Sequence, residues 1–213
     1  MGLAIGVGVL AELVEDKQGA DRIRRDIDYI NTLLVEEGVS PHQEPESFDE
    51  PLRTRASLTS FPYSWLHYLR RFAAHVMRDP RWVPYPIEPG EDPADDVVLR
   101  QMYRQMKSHL LCHSDSEGYY FPVDFEDIFL DPSHRIRGGV LGSSHQLRRE
   151  LLLLTDPLEI DVDKNGELSE EKAKIVAQQR PSGAPFAVER LVWLALFEAA
   201  RLSIENKTAV VFY

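Results

Sequence analysis

The sequence predicts an α+β fold of about six helices gathered around a long apolar C-terminal helix, with a small sheet of short strands. Three observations carry this. Apolar residues recur at steps of three and four in several segments, the spacing of one helix face. The stretch PFAVERLVWLALFEAARLSI is apolar on nearly every side, as a central buried helix is. Short β-branched or aromatic runs at Leu3–Leu10, Tyr119–Phe125 and TAVVFY after Lys207 read as strands.

In chain order, Leu3 to Leu10 is short, apolar and punctuated by glycine. From Ala20 to Glu37, the residues Ile23, Ile27, Ile30 and Leu34 share one face of an amphipathic helix, which Gly38 stops. Residues 39–60 hold Pro41, Pro45 and Pro51 among many acids and read as a long surface loop. Pro62 opens a helix whose apolar side is Trp65, Leu66, Leu69, Phe72 and Val76. It ends before Asp79-Pro80, because the residue ahead of proline avoids the helical region. Residues 80–95 hold Pro80, Pro84, Pro86, Pro89 and Pro93 and read as irregular. Val98, Met102, Met106 and Leu110 then predict a helix from Asp95 to about Leu110. In YYFPVDF, Pro122 makes the strand an edge or bulged one. GGVLGSS reads as a turn. Ser143 and Gln146 then form a capping box opening a helix to Leu154, and Asp156-Pro157 breaks it. Ser169 to Gln179 is a further helix, with Glu170 and Glu171 in the first turn, where the helix dipole favours acids.

Length and composition fit a single globular domain over residues 1–213: 43% hydrophobic and 28% charged residues suffice for a packed core. The 35 acids outnumber the 24 lysines and arginines, for a net charge of -11. Such a chain repels phosphate backbones and anionic membrane surfaces, which argues against nucleic acid and membrane as partners, and it attracts a basic protein. Cys112 is the one cysteine, so no intramolecular disulfide forms, as in a reducing cytoplasm. The opening MGLAIGVGVLAELVED lacks a positive leader region and reads as part of the fold. Glu189, Arg190, Glu198 and Arg201 make the long apolar helix a poor membrane span, and such buried charges need partners.

Residues 161–172, DVDKNGELSEEK, follow a calcium loop over most of its length. That loop takes oxygen ligands at alternate positions, a glycine at its centre and a bidentate Glu at its end. Asp161, Asp163, Asn165, Glu167 and Ser169 occupy the ligand positions and Gly166 the turn, but Lys172 stands where the Glu belongs. Lysine removes two oxygens and adds a positive charge, so the loop reads as a degenerate EF-hand-like turn. No cofactor is expected, calcium at this loop being the alternative.

HLLCHSDSE holds His109, Cys112, His113, Asp115 and Glu117, groups able to bind metal or move protons. Their spacing matches no zinc pattern. A Cys112 nucleophile with a His base stands against a small buried thiol; in an enzyme site built from this segment and the glycine turn that follows, His113, Asp115 or Asp124 would handle protons. In GGVLGSSHQL, Gly142, Ser143 and Ser144 could cradle an anion at a helix N-terminus, although the lysine of a phosphate-binding P-loop is missing. The plain alternative is an ordinary cap. Gly6, Gly8 and Ala11 match a dinucleotide fingerprint in spacing but lack its βαβ context.

HLLCHSDSEGYYFPVDF, GGVLGSSHQLRREL and ERLVWLALFEAARLSIENKTAVVF resemble segments of an uncharacterised family of bacterial proteins. The resemblance extends over most of the chain, including GLAIGVGVLAEL and YSWLHYLRR. It implies a shared fold and transfers no catalytic residue. The leading expectation is a cytoplasmic, non-enzymatic interaction protein, immunity-type or regulatory, that covers a basic protein partner. The alternatives are an enzyme or small-anion-binding protein with a site formed by residues 112–124 and 138–144, and a calcium-binding module.

Overall fold

The computed structural model describes residues 2–88, 90–133 and 135–213, so Pro89 of the second proline-rich loop lies outside the described residues. Six strands form one mixed sheet: β1 (Gly2–Val7), β2 (Ser60–Pro62), β3 (Gly118–Phe121), β4 (Phe129–Leu130), β5 (Val140–Ser143) and β6 (Val210–Phe212). Their order is β2-β1-β6-β3-β5-β4, and every pairing is antiparallel except β3 with β5. Val211 lies opposite both Gly6 of β1 and Tyr119 of β3, which places β6 at the centre.

Side chains alternate along each strand, so the sheet has two apolar faces. Tyr119, Phe121, Leu141 and Val211 point to one face; Tyr120, Val140, Val210 and Phe212 point to the other. The first face is covered by α2 (Lys17–Glu36) through Ile23, Ile27, Ile30 and Leu34. Asp16 caps α2 by accepting the Gly19 N–H at 2.9 Å, and Gly38 adopts a left-handed φ of 74° just past its end. The second face carries α3 (Tyr63–Arg78), α6 (Ser144–Leu152), α7 (Glu170–Ala177) and α8 (Ala187–Asn206). α8 packs against α3, α6 and α7 and is buried from Leu191 to Ala200. Within it, Trp193 stacks on Phe197 with ring centroids 4.6 Å apart and donates its indole N–H to the Leu151 carbonyl at 2.8 Å.

The α+β class holds, with eight α-helices among the described residues where the sequence pattern gives six. α1 (Val9–Glu12) follows a left-handed Gly8 that ends β1 at Val7. The helix expected from Asp95 to Leu110 is two: α4 (Val97–Tyr103) and α5 (His109–Cys112). Met106, at φ 48°, breaks it, and Ser108 starts α5 by accepting the Leu111 N–H at 3.0 Å. The Glu150 carboxylate takes the next two free donors, His109 N at 2.9 Å and Leu110 N at 2.7 Å, so capping overrides the apolar spacing.

Two further expectations are corrected. β3 stops at Phe121, so Pro122 falls outside the ladder, and the strand is internal, between β6 and β5. Only Gly138 and Gly139, at φ 72° and 69°, make a turn in GGVLGSS; Val140–Ser143 is strand β5. Gly142 sits there because a Cβ would lie 2.3 Å from the Tyr120 ring. That ring cannot slide aside, since the Tyr120 hydroxyl is tied to the His109 carbonyl at 2.9 Å. Gly142→Ala is therefore expected to destabilise the protein by about 2 kcal/mol, the scale of an overpacked core. An unchanged thermal melt would contradict this.

Candidate functional site

α5 and the turn behind it set the Cys112–Asp115 segment against α3. Arg70 on α3 is 1% exposed. Its guanidinium donates to the Leu110 carbonyl at 2.8 Å, to the His113 carbonyl at 2.6 Å and to one oxygen of Asp115. His67, one turn earlier, meets the other Asp115 oxygen at 3.1 Å. Burial alone would raise the Asp115 pKa, but His67 and Arg70 outweigh it and hold the carboxyl at about 2. His113 lies flat on Tyr120, with centroids 4.1 Å apart, and each ring nitrogen is 3.1 Å from a carbonyl, those of Ser114 and Tyr119. Burial, reinforced by the Arg70 charge, lowers His113 to about 4 and keeps it neutral at pH 7. Burial also pushes the Cys112 thiol up, the reverse of an activated thiolate. This geometry is that of a brace joining α5 to α3.

The glycine–serine segment is similarly engaged. The Ser143 N–H donates to Nδ1 of His109 at 2.9 Å, which places the His109 proton on Nε2, 3.0 Å from the Glu126 carbonyl. The Ser143 hydroxyl donates to the Val123 carbonyl at 2.7 Å and accepts the Gln146 N–H at 3.3 Å. The reciprocal half of the capping box is absent: the Gln146 amide turns to Asp124 at 3.4 Å. Asp124 is also gripped by both Arg149 amino groups, at 2.7 and 2.5 Å. The Ser144 hydroxyl is buried against Ser203 of α8 at 2.7 Å. Ser143 thus joins His109 and Val123, and Ser144 joins α8, whereas His113 and Asp115 join α3.

In the 161–172 turn, the Asp163 carboxylate accepts the N–H groups of Asn165 and Glu167, each at 2.8 Å. Gly166 takes a left-handed φ of 74°, and the Ser169 hydroxyl caps α7 at Lys172 N, 3.3 Å away. Lys172 itself lies 2.8 Å from Asp161, and Arg148 lies 2.6 Å from the Glu167 side chain. Each carboxylate that a calcium ion would take has a partner within the chain. Among the described residues, no group of three or more His, Cys, Asp and Glu side chains converges as metal ligands.

Two buried carboxylates hold the loop between α2 and β2. Glu198, fully buried on α8, accepts from Arg55 through its backbone N–H and Nε, both at 2.9 Å, and from Arg201 through Nη2 at 2.8 Å and Nε at 3.1 Å. Burial raises its pKa, yet the two arginines prevail and hold it at about 2. Glu44 accepts the Ala209 N–H at 2.8 Å, meets His42 at 2.6 Å and takes the Thr208 hydroxyl. A charge stranded in an apolar helix marks Glu198 in the sequence. Nothing local marks Glu44 or Arg70, whose partners lie far along the chain.

The remaining distinctive feature is how charge is distributed. Residues 1–50 carry twelve acids against four lysines and arginines, and residues 79–96 carry six acids against Arg81. Residues 51–78 carry five arginines and no acid; Arg70 and Arg71 are buried, Arg55 is clamped to Glu198, and Arg53 and Arg78 are exposed. In the 79–96 loop, Asp96 is anchored by His75 at 3.0 Å and Arg71 at 3.5 Å, and it caps α4 at Leu99 N. The Arg71 guanidinium also stacks 4.6 Å from the Tyr85 ring centroid. Above this base lies a groove of about 540 Å³ rimmed by Glu88, Glu91, Asp92 and Asp95. Glu88, Glu91 and Asp92 are exposed and have no ion-pair partner among the described residues. Val83, 79% exposed, and Tyr85, 50% exposed, stand beside them.

No helix among the described residues is long and apolar enough to cross a membrane. No curated protein and no solved structure matches the chain. A family model described as "Putative DNA-mimic protein" matches residues 1–212, and the chain belongs to that family.

Proposed function

We propose that the chain is an acidic interaction protein that presents carboxylates where a DNA-binding protein expects phosphates. The observation that carries this is the exposed 79–96 rim, where Glu88, Glu91 and Asp92 have no ion-pair partner among the described residues, while Arg71 beneath them is buried and the exposed Arg81 and Arg100 pair with Asp79 and Asp95. The family's description points the same way. DNA-binding proteins draw much of their affinity from lysine and arginine contacts to a row of phosphates, largely irrespective of sequence. A surface with an excess of carboxylates addresses the same cations, and Val83 and Tyr85 add apolar contact that phosphates lack. The chain would itself be repelled by nucleic acid. An immunity-type or regulatory role follows when the covered surface is the partner's DNA-binding face.

The test is displacement. Proteins of the native host retained on immobilised duplex DNA at low salt should be released as the purified chain is added, less so as salt rises. The combined variant Glu88→Gln, Glu91→Gln and Asp92→Asn should need about tenfold more protein for the same release, because each exposed ion pair is a fraction of a tenfold step. Release of nothing at low salt, or equal potency of the neutralised variant, would refute the reading.

A further inference from the structure

Residues 88–96 crowd five carboxylates, those of Glu88, Glu91, Asp92, Asp95 and Asp96, into nine positions. Charges of one sign at such spacing repel, and an irregular segment that carries them extends unless something opposes it. Regular structure offers little opposition here. Among the described residues of the 79–96 loop, only Pro93–Asp95 is regular, as one short 3₁₀ turn.

One turn of α3 supplies what the loop lacks. Arg71 and His75 are four residues apart and share a face of that helix. Both meet the same Asp96 oxygen, at 3.5 and 3.0 Å. The Asp96 side chain is only 15% exposed, against 70% for its neighbour Asp95. Burial would raise the Asp96 pKa, but His75, the Leu99 N–H and Arg71 outweigh it and keep the carboxylate ionised. The start of the loop reaches the same pair of side chains. The Trp82 ring stacks on His75 with centroids 4.7 Å apart, and Arg71 donates to the Tyr85 carbonyl at 3.2 Å. Both ends of the acidic stretch therefore meet at Arg71 and His75.

We propose that Arg71 and His75 are positioning residues of the acidic rim: through Asp96, Trp82 and Tyr85 they join the two ends of the loop against the mutual repulsion of its carboxylates, and so fix where Glu88, Glu91 and Asp92 meet a basic partner. This rests on the reading above that the rim faces the partner. The joining itself can be measured on the chain alone.

Two variants undo the clasp and leave Glu88, Glu91 and Asp92 in place. One Asp96 oxygen caps α4 while the other faces Arg71 and His75. Asp96→Asn keeps the cap and puts an amide N–H group before the two bases. His75→Leu removes the hydrogen bond and the stacked ring without removing any carboxylate. Asp95→Asn is the control, equal to Asp96→Asn in net charge but outside the clasp. The Trp82 N–H, bonded to the Asp79 carbonyl at 2.8 Å, and the Asp95 N–H, bonded to the Asp92 carbonyl at 2.9 Å, report on the two ends by hydrogen exchange. Both should exchange about tenfold faster in Asp96→Asn and His75→Leu, while amides of α8 and the control keep wild-type rates. Added salt should slow exchange again in Asp96→Asn, because screening weakens the repulsion. In the displacement assay both clasp variants should need about tenfold more protein, and the control only a fraction of that step. Wild-type exchange in both clasp variants, exchange that salt leaves unchanged, or potency equal to the control would each overturn the proposal while the charge-mimicry reading stands. A wild-type chain that displaces nothing would instead remove that reading, and this role with it.

Discussion

Glu198→Gln is expected to lower stability by about 3–5 kcal/mol and to loosen residues 39–59. The carboxylate is fully buried and is the shared counter-charge of Arg55 and Arg201, whose side chains are 15% and 17% exposed. Glutamine keeps the shape but leaves two nearly buried cations facing each other. The loss should appear in chemical denaturation at pH 7 and as faster tryptic cleavage near Arg53 and Arg55. The pH dependence has a definite sign. The folded pKa of about 2 lies below the ordinary 4.5, so the wild-type carboxylate contributes stability that is fully present above 4.5 and is lost as pH falls towards 2. The variant should lack that part of the acid-induced loss. Equal stability at pH 7 would show that Arg55 and Arg201 find other partners.

Arg70→Met should be nearly as costly, at about 3 kcal/mol, or a fall of roughly 6–12 °C in Tm for a chain of this size. Methionine fills similar space but strands the Leu110 and His113 carbonyls, which Arg70 satisfies from within the core. A second readout separates the brace from simple packing. The Arg70 charge is one of the influences that hold His113 at about 4, below the ordinary 6.5. Between these values the unfolded chain binds a proton that the folded chain refuses, so stability declines as pH falls from 6.5 towards 4. Removing Arg70 should raise the His113 pKa and narrow that window, measurable by NMR titration of the imidazole. An unshifted His113 would mean that burial alone sets its value.

Helices whose apolar faces were continuous, such as the one carrying Ile23, Ile27, Ile30 and Leu34, were legible in the sequence, because burial against a sheet selects that spacing directly. The segment from Asp95 to Leu110 was not, since Met106 satisfies the spacing yet sits in a left-handed turn. What decides there is Glu150, far along the chain, which accepts the first N–H groups of α5. The Val140–Ser143 strand was hidden by its glycine, which answers to a neighbouring tyrosine and makes no turn. The same reason explains why polar residues flagged as site candidates could not be read locally. His113, Ser143 and Ser144 acquire their roles from Tyr119, His109 and Ser203, partners that spacing along the chain does not reveal. Net charge was plain from composition, but that Arg70 and Arg71 are internal while Glu88, Glu91 and Asp92 are exposed emerges only when burial is known.

The two clamps on residues 39–59 have a consequence for recognition. Glu44 pins one side of this segment to Thr208 and Ala209, and Arg55 pins the other to Glu198, so the exposed Asp49 and Glu50 ride on a strap fastened at both ends. A duplex is a stiff template, and a polypeptide competing with it is handicapped if its charges must first be ordered. If the chain covers a DNA-binding face as proposed, little freedom of this segment would remain to be surrendered on contact, and the electrostatic gain would reach the complex with little entropic discount.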